Sequence, residues 1–575
     1  MSITFKQRLL SVPPLFWLLL LATVCLLPFV GKAFFVDDTL FLRAAEQIQK
    51  HPLNFYGFNI NWYGYTTPMT LAMDNPPLTS YYIALAASLL GWSEPALHLA
   101  FLFPALAAVW GIFVLAKNYC DRPFTAALIA LLTPVFLISA TTVMSDVTQL
   151  AFWVWTLVFF EKGLRTEKRA DFIISGILAG LAFLTKYPGL SLVPLLLAYG
   201  FCVKRRTGGW LTAPVIPLVF VAVYQWVTFR LYGEGLLLCA AHEATKFRAH
   251  AYVAPWEQAV IGATFAGACF VPVLIFTPWL WPRRMVLAML CLIAAGLLVI
   301  PHMAAYATLI WKADGQLNWG RFFYIAILTV AGLYVILLAV MDLWERRDAV
   351  SVLLLLWLTG IFVFAVGLNW TISGRSFLPA VPAVGILAAR RMSRKYTGPT
   401  HNHFLQLALP ALMAGVVGLV LVKADYDMAN AQRAAAMHLG AKYQMSGKTV
   451  WFNDHWGFQY YIEQFGAKAL EQRTPGYRIG NILIITSHAS DFGSNNFSIG
   501  SSGRLRLIES GEIIGRRHLA TADPGVEAGF YGTCVGVLPF AIGNLGPQYF
   551  RVFEIVGTAG SSQSKKTPVV INSKI

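Results

Sequence analysis

The chain has 575 residues, of which 57% are hydrophobic and only 13% are charged. A soluble globular protein carries roughly twice that charged fraction, so the composition excludes an ordinary soluble enzyme and predicts a polytopic α-helical membrane protein in contact with lipid. The formal net charge of +16 is typical of Lys and Arg held in cytoplasmic loops. It is weak evidence for nucleic acid binding, and no nucleic acid partner is expected.

Apolar runs predict about thirteen spans, since a span needs about 20 apolar residues. They lie near residues 12–34, 96–116, 123–141, 147–161, 171–187, 189–203, 209–231, 256–278, 285–307, 321–343, 349–369, 376–390 and 404–422. With a cytoplasmic N-terminus, every short cluster of Lys and Arg falls on the cytoplasmic side, as the positive-inside rule requires. We expect a bacterial inner membrane protein, because no eukaryotic retention signal ends the chain.

The first outer loop, residues 34–95, carries two unusual polar sites. Asp37 and Asp38 directly follow the first span, where charge is costly and indicates a functional site. The alternative is that this pair caps an interfacial helix beginning near Thr39. Asp74 and Asn75 precede a rigid Pro-Pro and could bind sugar hydroxyls or an ion, or form a plain turn. A short apolar helix at the membrane interface is predicted from residue 79 to residue 92.

Later outer loops add further polar residues. Asp146 stands at the mouth of a span, and Lys186 lies between two spans. An outer lysine calls for an anionic partner, either a phosphate or Asp146. Arg375 precedes a late span, and its guanidinium suits a phosphate; the alternative is an arginine that reaches to the interface.

The loop at residues 233–255 contains two histidines, and whether the protein uses a metal cofactor stays open. His242 and His250 could join a carboxylate in a divalent metal site. Such a loop is also consistent with a purely interfacial role, so the metal ligands stay unknown, with these two histidines as the candidates.

The composition changes after Lys423. Short β-like runs at residues 449–452, 481–486 and 548–556, with an amphipathic stretch at 456–465, predict a mixed α/β domain. We therefore divide the chain into a membrane domain, 1–423, a periplasmic domain, 424–560, and a disordered tail, 561–575. Within the outer domain, Asp454-His455-Trp456 could be catalytic or a simple loop. The domain is expected to receive the acceptor or to stabilise the outer loops.

Taken together and in order, these motifs resemble the C-superfamily of membrane glycosyltransferases. The motifs are the acidic pair, Pro76-Pro77-Leu78, the acidic residue of the second outer turn, Thr185-Lys186-Tyr187, and the run from Arg375 to Pro382. The pattern is similar to that of protein O-mannosyltransferases and lipid A aminoarabinose transferases, over residues 30–395. It departs at Asp38, where the family usually has Glu, and at Asn75, where His or Glu is common, so the resemblance does not imply a bound metal.

The resemblance implies a polyprenyl-phosphate-linked sugar donor, an active site on the outer face and inversion at the anomeric carbon. Asp37 matches the family's catalytic carboxylate and is expected to be the general base, while Asp38 orients Asp37, the acceptor or a metal. The donor phosphate is assigned to Arg375 and Lys186, and substrate contacts are assigned to Asp74, Asn75 and Asp146.

The predicted function is therefore transfer of a hexosyl or pentosyl group to a hydroxyl of a lipid, glycan or protein acceptor. The main alternative is a multi-span transporter or lipid flippase with an outer binding domain. Transporters tend to place ionisable groups near mid-membrane, whereas here the charges collect at one face. A receptor or scaffold is the third alternative, for which so many spans would be excessive.

Overall fold

The structure is a computed structural model that describes residues 13–73, 75–250, 253–395, 403–471, 476–487 and 503–558. Asp74 and the predicted tail 561–575 lie outside these ranges, as does the side chain of His250.

Helices account for most of the chain up to residue 444. They are α1 Pro14–Leu26, α2 Asp38–Lys50, α3 Met69–Ala72, α4 Leu78–Leu90, α5 Glu94–Tyr119, α6 Pro123–Leu131, α7 Pro134–Ser139, α8 Ser145–Thr166, α9 Arg169–Thr185, α10 Leu192–Lys204, α11 Thr212–Tyr232, α12 Leu236–His250, α13 Pro255–Cys269, α14 Val271–Ile275, α15 Thr277–Leu280, α16 Arg283–Ala295, α17 Ala307–Ile310, α18 Trp319–Arg346, α19 Ala349–Val363, α20 Val381–Lys395 and α21 His403–Gln444. Each predicted span contains helical residues, and the predicted interfacial helix is α4.

Seven helical segments of the described residues are long and apolar enough to cross a membrane. They are Glu94–Tyr119, Tyr187–Lys204, Gly209–Tyr232, Arg283–His302, Trp319–Arg346, Ala349–Leu368 and Leu407–Gln444. The predicted spans 123–141 and 256–278 are instead broken, because Pro134, Pro272 and Pro278 each lie at the first or second position of a new short helix. The helical membrane architecture is confirmed in this form, and the count of about thirteen spans remains a prediction.

A pair of glycines brings α13 and α18 into backbone contact. A Cβ atom on Gly267 would lie 1.9 Å from the carbonyl oxygen of Leu328, and one on Gly332 would lie 2.0 Å from that of Ala263. Small residues permit such close approach of helices in a membrane. At the end of α13, the thiol of Cys269 lies 3.5 Å from the carbonyl oxygen of Gly374. The end of α13 thus contacts the turn that carries Arg375.

The last long helix, α21, joins the membrane part to the C-terminal domain. Its 42 residues span about 63 Å at about 1.5 Å per residue. The predicted domain boundary at 423/424 falls inside this helix. The composition changes there because the helix leaves its apolar surroundings and then packs against α22, Trp456–Ile462.

The C-terminal domain is built on a mixed five-stranded sheet of order β4-β3-β5-β11-β6. In the chain as a whole the strands are β1 Asn59–Asn61, β2 Thr66–Pro68, β3 Val450–Phe452, β4 Lys468–Ala469, β5 Ile482–Thr486, β6 Gly503–Ile514, β7 Arg517–Ala520, β8 Ala522–Asp523, β9 Ala528–Gly529, β10 Ala541–Leu545 and β11 Gln548–Thr558. β3 is parallel to β4 and β5, while β11 is antiparallel to β5 and β6. The three predicted β-runs are confirmed as β3, β5 and β11, and the amphipathic stretch forms α22.

Candidate active site

A cavity of about 150 Å³ lies where the first outer loop, the turns before α8 and α20, and the C-terminal domain meet. Three charged side chains line it: Asp37, Lys186 and Arg375. Aromatic side chains supply much of the remaining wall: Trp62, Tyr63, Tyr187, Trp370, Trp456 and Tyr531. Residues far apart in sequence thus form one polar cleft with apolar walls, which is the usual composition of a small-molecule site.

An ion pair between Asp37 and Arg375 dominates the cavity. The Nη2 atom of Arg375 donates to Oδ2 of Asp37 over 2.6 Å. The side chains are 29% exposed for Asp37 and 12% for Arg375, so both still reach the open space. The candidate base and the candidate phosphate ligand are therefore neighbours.

Asp146 is buried and contacts both cations of the site, Lys186 and Arg375. Its Oδ1 atom accepts from Nζ of Lys186 over 2.6 Å, and its Oδ2 atom lies 3.7 Å from Nη1 of Arg375. The Asp146 side chain is 1% exposed. It is placed to position Lys186 and Arg375 and does not line the cavity; its substrate contact stays a prediction. The pairing of Lys186 with Asp146, one of the two expected alternatives, is present.

Not every donor of the Arg375 guanidinium makes a hydrogen bond among the described residues. Within the described part of the chain, its Nε atom is buried without a hydrogen-bond partner, as is Oδ2 of Asp146. Burial lowers the pKa of Arg375, but the carboxylates of Asp37 and Asp146 outweigh this effect and raise it. The guanidinium is therefore a permanent cation.

The backbone beside Asp37 is strained. Val36 adopts φ 49° and Trp456 adopts φ 59°, although left-handed backbone is strongly disfavoured for β-branched and bulky residues. Both residues line the cavity. Such strain persists where the surrounding structure enforces it, and it is concentrated at functional sites.

Asp38 faces away from the cavity and fixes the loop. It is fully buried, and its two carboxylate oxygens accept backbone N–H groups from Phe35 over 2.9 Å and from Val143 over 2.8 Å. Burial raises the pKa of Asp38 to about 7, against the opposing charge of Lys32. Asp37 occupies the N-cap position of α2, which begins at Asp38, but its side chain makes no capping hydrogen bond, so the predicted capping alternative is not borne out for Asp37.

The remaining predicted residues differ in whether they line the cavity. Asn75 lines the cavity, and its carbonyl accepts from the Tyr56 hydroxyl over 2.8 Å. Its neighbour Asp74 lies outside the described residues. His242 is exposed on α12 and does not line the cavity. Across the described ranges, no group of three or more His, Cys, Asp or Glu side chains is arranged to hold a metal ion.

The Asp454-His455 pair is a buried structural element of the outer domain. The hydroxyl of Thr486 donates to Asp454 over 2.7 Å, and the His455 ring pairs with Gln459 at 3.3 Å. Burial raises the pKa of Asp454 to about 6 and lowers that of His455 to about 4. Neither side chain lines the cavity, and only Trp456 of the predicted triplet does.

These two shifts predict opposite pH dependences of stability. Asp454 stabilises the fold at low pH, and this contribution is lost as the pH rises from about 4 to about 6. His455 stabilises it at neutral pH, and this is lost as the pH falls through the same window. Each contribution to the free energy of unfolding reaches about 3 kcal/mol. In the wild type they oppose each other, so Asp454→Asn should make the melting temperature rise with pH, and His455→Gln should make it fall. Thermal unfolding between about pH 4 and 6.5 checks this, and parallel curves for both variants would contradict it.

Sequence reasoning missed the contribution of residues 531–535. Tyr531, Cys534 and Val535 line the cavity, although they lie more than 150 residues beyond Arg375. The only local signal is the cluster Gly529-Phe530-Tyr531-Gly532, which marks a turn with two large aromatic residues.

The chain was compared with known families and structures. Residues 74–229 match the family described as dolichyl-phosphate-mannose-protein mannosyltransferase. No curated protein matches the chain. Among solved structures, the oligosaccharyltransferase of Archaeoglobus fulgidus in the apo form is 13% identical with a TM-score of 0.47, and the match covers 81% of this chain and 65% of that one.

Two further structures are similar at the same level. ArnT from Cupriavidus metallidurans bound to undecaprenyl phosphate is 13% identical with a TM-score of 0.42, covering 82% of this chain and 92% of that one. The mycobacterial arabinofuranosyltransferase AftD is 13% identical with a TM-score of 0.42, covering 94% of this chain and 40% of that one. The family match itself contains Asn75, Asp146 and Lys186, while Asp37 and Arg375 lie outside it. The resemblance predicted from the motifs is confirmed in this form: residues 74–229 match the dolichyl-phosphate-mannose-protein mannosyltransferase family.

Proposed function

We propose that this membrane protein transfers a sugar from a polyprenyl-phosphate donor to an acceptor hydroxyl at the outer face of the membrane. The observation that carries the proposal is the cavity that holds a carboxylate, Asp37, beside two cations, Arg375 and Lys186. Glycosyl transfer from a lipid phosphate needs a base for the acceptor proton and positive charge for the departing phosphate.

The proposed reaction uses these groups directly. The acceptor oxygen attacks the anomeric carbon while Asp37 takes the hydroxyl proton. The bond between the anomeric carbon and the phosphate oxygen breaks, and the electron pair leaves with the polyprenyl phosphate. Arg375 and Lys186 stabilise the charge that develops on the phosphate. Attack on the face opposite to the leaving group inverts the anomeric configuration.

The ion pair suggests how the base becomes available. Nη2 of Arg375 already faces both Oδ2 of Asp37 and the carbonyl oxygen of Tyr531, so a phosphate that binds Nη2 must displace one of them. A donor phosphate, being an anion with several acceptor oxygens, competes with Asp37 for the guanidinium. In our proposal the bound donor takes Arg375 and releases Asp37 to the acceptor. Asp146 keeps both cations in place during this exchange.

Other features agree with a saccharide ligand. Aromatic walls offer large apolar faces, and Asn75 supplies an amide beside them. The matched family is described by its dolichyl-phosphate-mannose donor, which is a polyprenyl-phosphate sugar. We place the cavity and the C-terminal domain on the periplasmic side of a bacterial inner membrane, in accord with the basic loops predicted to lie inside.

A radiolabelled sugar tests this function, because its label can be followed from the polyprenyl lipid to the acceptor. Purified protein in lipid nanodiscs is incubated with radiolabelled polyprenyl-phosphate sugars and with membrane fractions that contain acceptors. We expect label to leave the polyprenyl lipid and to become covalently attached to an acceptor. A transporter or flippase would instead move the labelled lipid across a vesicle bilayer with its sugar bond intact, and that result would overturn the proposal.

A further inference from the structure

The C-terminal domain completes the wall of the cavity through one short segment. Residues 530–533 run beside residues 371–374, just before Arg375. Gly374 donates its N–H to the carbonyl oxygen of Phe530 over 2.8 Å, and Thr533 donates to that of Ile372 over 2.9 Å. A Cβ atom on Gly374 would lie 2.4 Å from the Phe530 ring. This close backbone contact attaches the outer domain to the turn that carries the guanidinium.

Tyr531 lies directly against Arg375. The Cζ atom of Arg375 is 5.2 Å from the centroid of the Tyr531 ring, within the range of a cation–π contact. The carbonyl oxygen of Tyr531 is 3.4 Å from Nη2 of Arg375. The same guanidinium group that pairs with Asp37 is therefore also held by the outer domain.

A buried charge cluster fixes the other end of Tyr531. Its hydroxyl donates to Oδ2 of Asp425 over 2.8 Å, and that oxygen also accepts from Nζ of Lys32 over 2.5 Å. Thr521 donates to Oδ1 of Asp425 over 2.5 Å. The side chains of Lys32 and Asp425 are both 0% exposed, and moving a hydrogen-bonded partner away from a buried charge is costly.

This cluster connects the chain segments that carry Asp37 and Arg375, the ion pair of the cavity. Lys32 belongs to the segment that leads into Asp37, and Asp425 lies on α21. Tyr531 spans from Asp425 to Arg375. We infer that Tyr531 is a positioning residue that orients the Arg375 guanidinium, so that docking of the C-terminal domain sets the affinity for the donor phosphate. The orientation of Arg375 does not depend on the proposed function; its consequence for phosphate affinity rests on that function.

The chemical reactivity of Arg375 tests the positioning role without any substrate. Phenylglyoxal modifies accessible guanidinium groups, and peptide mass mapping reports the rate at Arg375 in the purified full chain. We expect Tyr531→Leu, which removes the ring, to accelerate the modification at least about 3-fold, since a cation–π contact at a shielded site is worth about that much or more. Tyr531→Phe keeps the ring but loses the hydrogen bond to Asp425, so its rate should lie between those of the wild type and Tyr531→Leu. Tyr549→Leu is the control, because Tyr549 is 41% exposed on the same domain.

Binding of a polyprenyl monophosphate to the same variants tests the link to the donor. Tyr531→Leu should raise Kd about 10-fold, and Tyr531→Phe should restore most of the affinity. Equal Arg375 reactivity in wild type and Tyr531→Leu would overturn the positioning role. Changed reactivity with unchanged Kd would overturn the link to affinity. If the wild type binds no polyprenyl phosphate while reactivity changes as expected, the proposed function fails and the positioning of Arg375 stands.

Discussion

Asp37→Asn is expected to abolish sugar transfer while leaving the protein folded. The change is nearly isosteric, but an amide cannot accept the acceptor proton, so kcat should fall by roughly 10²–10⁴-fold, the usual contribution of a positioned general base. The neutral amide would also be a weaker partner for Arg375 than the carboxylate. The measurement is the initial rate of label transfer at saturating donor.

The matched control for this variant is Asp427→Asn. Asp427 is an exposed aspartate of α21 that pairs with Lys423, so its amide variant should transfer at the wild-type rate. Full activity of Asp37→Asn, with a normal melting temperature, would remove Asp37 from the role of base.

Arg375→Ala is expected to weaken use of the donor. The guanidinium offers charge-assisted hydrogen bonds to a phosphate, each worth about 1.5–3 kcal/mol, so losing two of them should raise the donor KM about 100-fold or more. The variant also leaves Asp37 and Asp146 without a shared cation. Asp146 still pairs with Lys186, whereas Asp37 loses its cation and then repels the donor phosphate, which adds to the loss. Steady-state kinetics with varied donor concentration measures the effect.

Arg375→Lys separates charge from geometry in the same assay. Lysine keeps the positive charge but loses the planar fork, so its KM should lie between those of the wild type and Arg375→Ala. Arg551→Ala changes an exposed arginine of β11 and serves as the control. An unchanged donor KM in Arg375→Ala would contradict the phosphate role.

Much of the fold was predictable because it depends on local pattern. Long apolar runs such as 321–343 and 404–422 predicted α18 and α21, and alternating or apolar runs flanked by Gly predicted β3, β5 and β11. The breaks at Pro134 and Pro272 were within reach of the same reasoning, since proline cannot continue a hydrogen-bonded helix. The continuation of α21 past Lys423 was not, because packing against α22 extends it after the apolar pattern has ended.

Three of the predicted charged residues line one cavity, but their arrangement there was not predictable. Asp37, Lys186 and Arg375 were singled out because charges at the edge of hydrocarbon are costly, and all three line one cavity. Their pairing could not be read from sequence, because hundreds of residues separate Asp37 from Arg375 and the distances depend on helix packing. Asp38 was expected to orient Asp37, the acceptor or a metal, and that role stays a prediction; its carboxylate accepts hydrogen bonds from the backbone of Phe35 and Val143, which sequence could not reveal.

Tyr531 shows a further limit of sequence reasoning. Nothing in its neighbourhood resembles a catalytic motif, and its position depends on how the outer domain docks. Its two contacts, with Asp425 and with Arg375, join segments that are remote in the chain. Such positioning residues become visible only when the tertiary structure brings those segments together.

The central claim is that a donor phosphate and Asp37 compete for the guanidinium of Arg375. The most direct measurement is the Kd of a polyprenyl monophosphate for the wild type, Asp37→Asn and Arg375→Ala, followed by the fluorescence of the tryptophans that line the cavity. Competition predicts that Asp37→Asn binds more tightly than the wild type and that Arg375→Ala binds more weakly. Weaker binding by both variants, or no change in either, would contradict it.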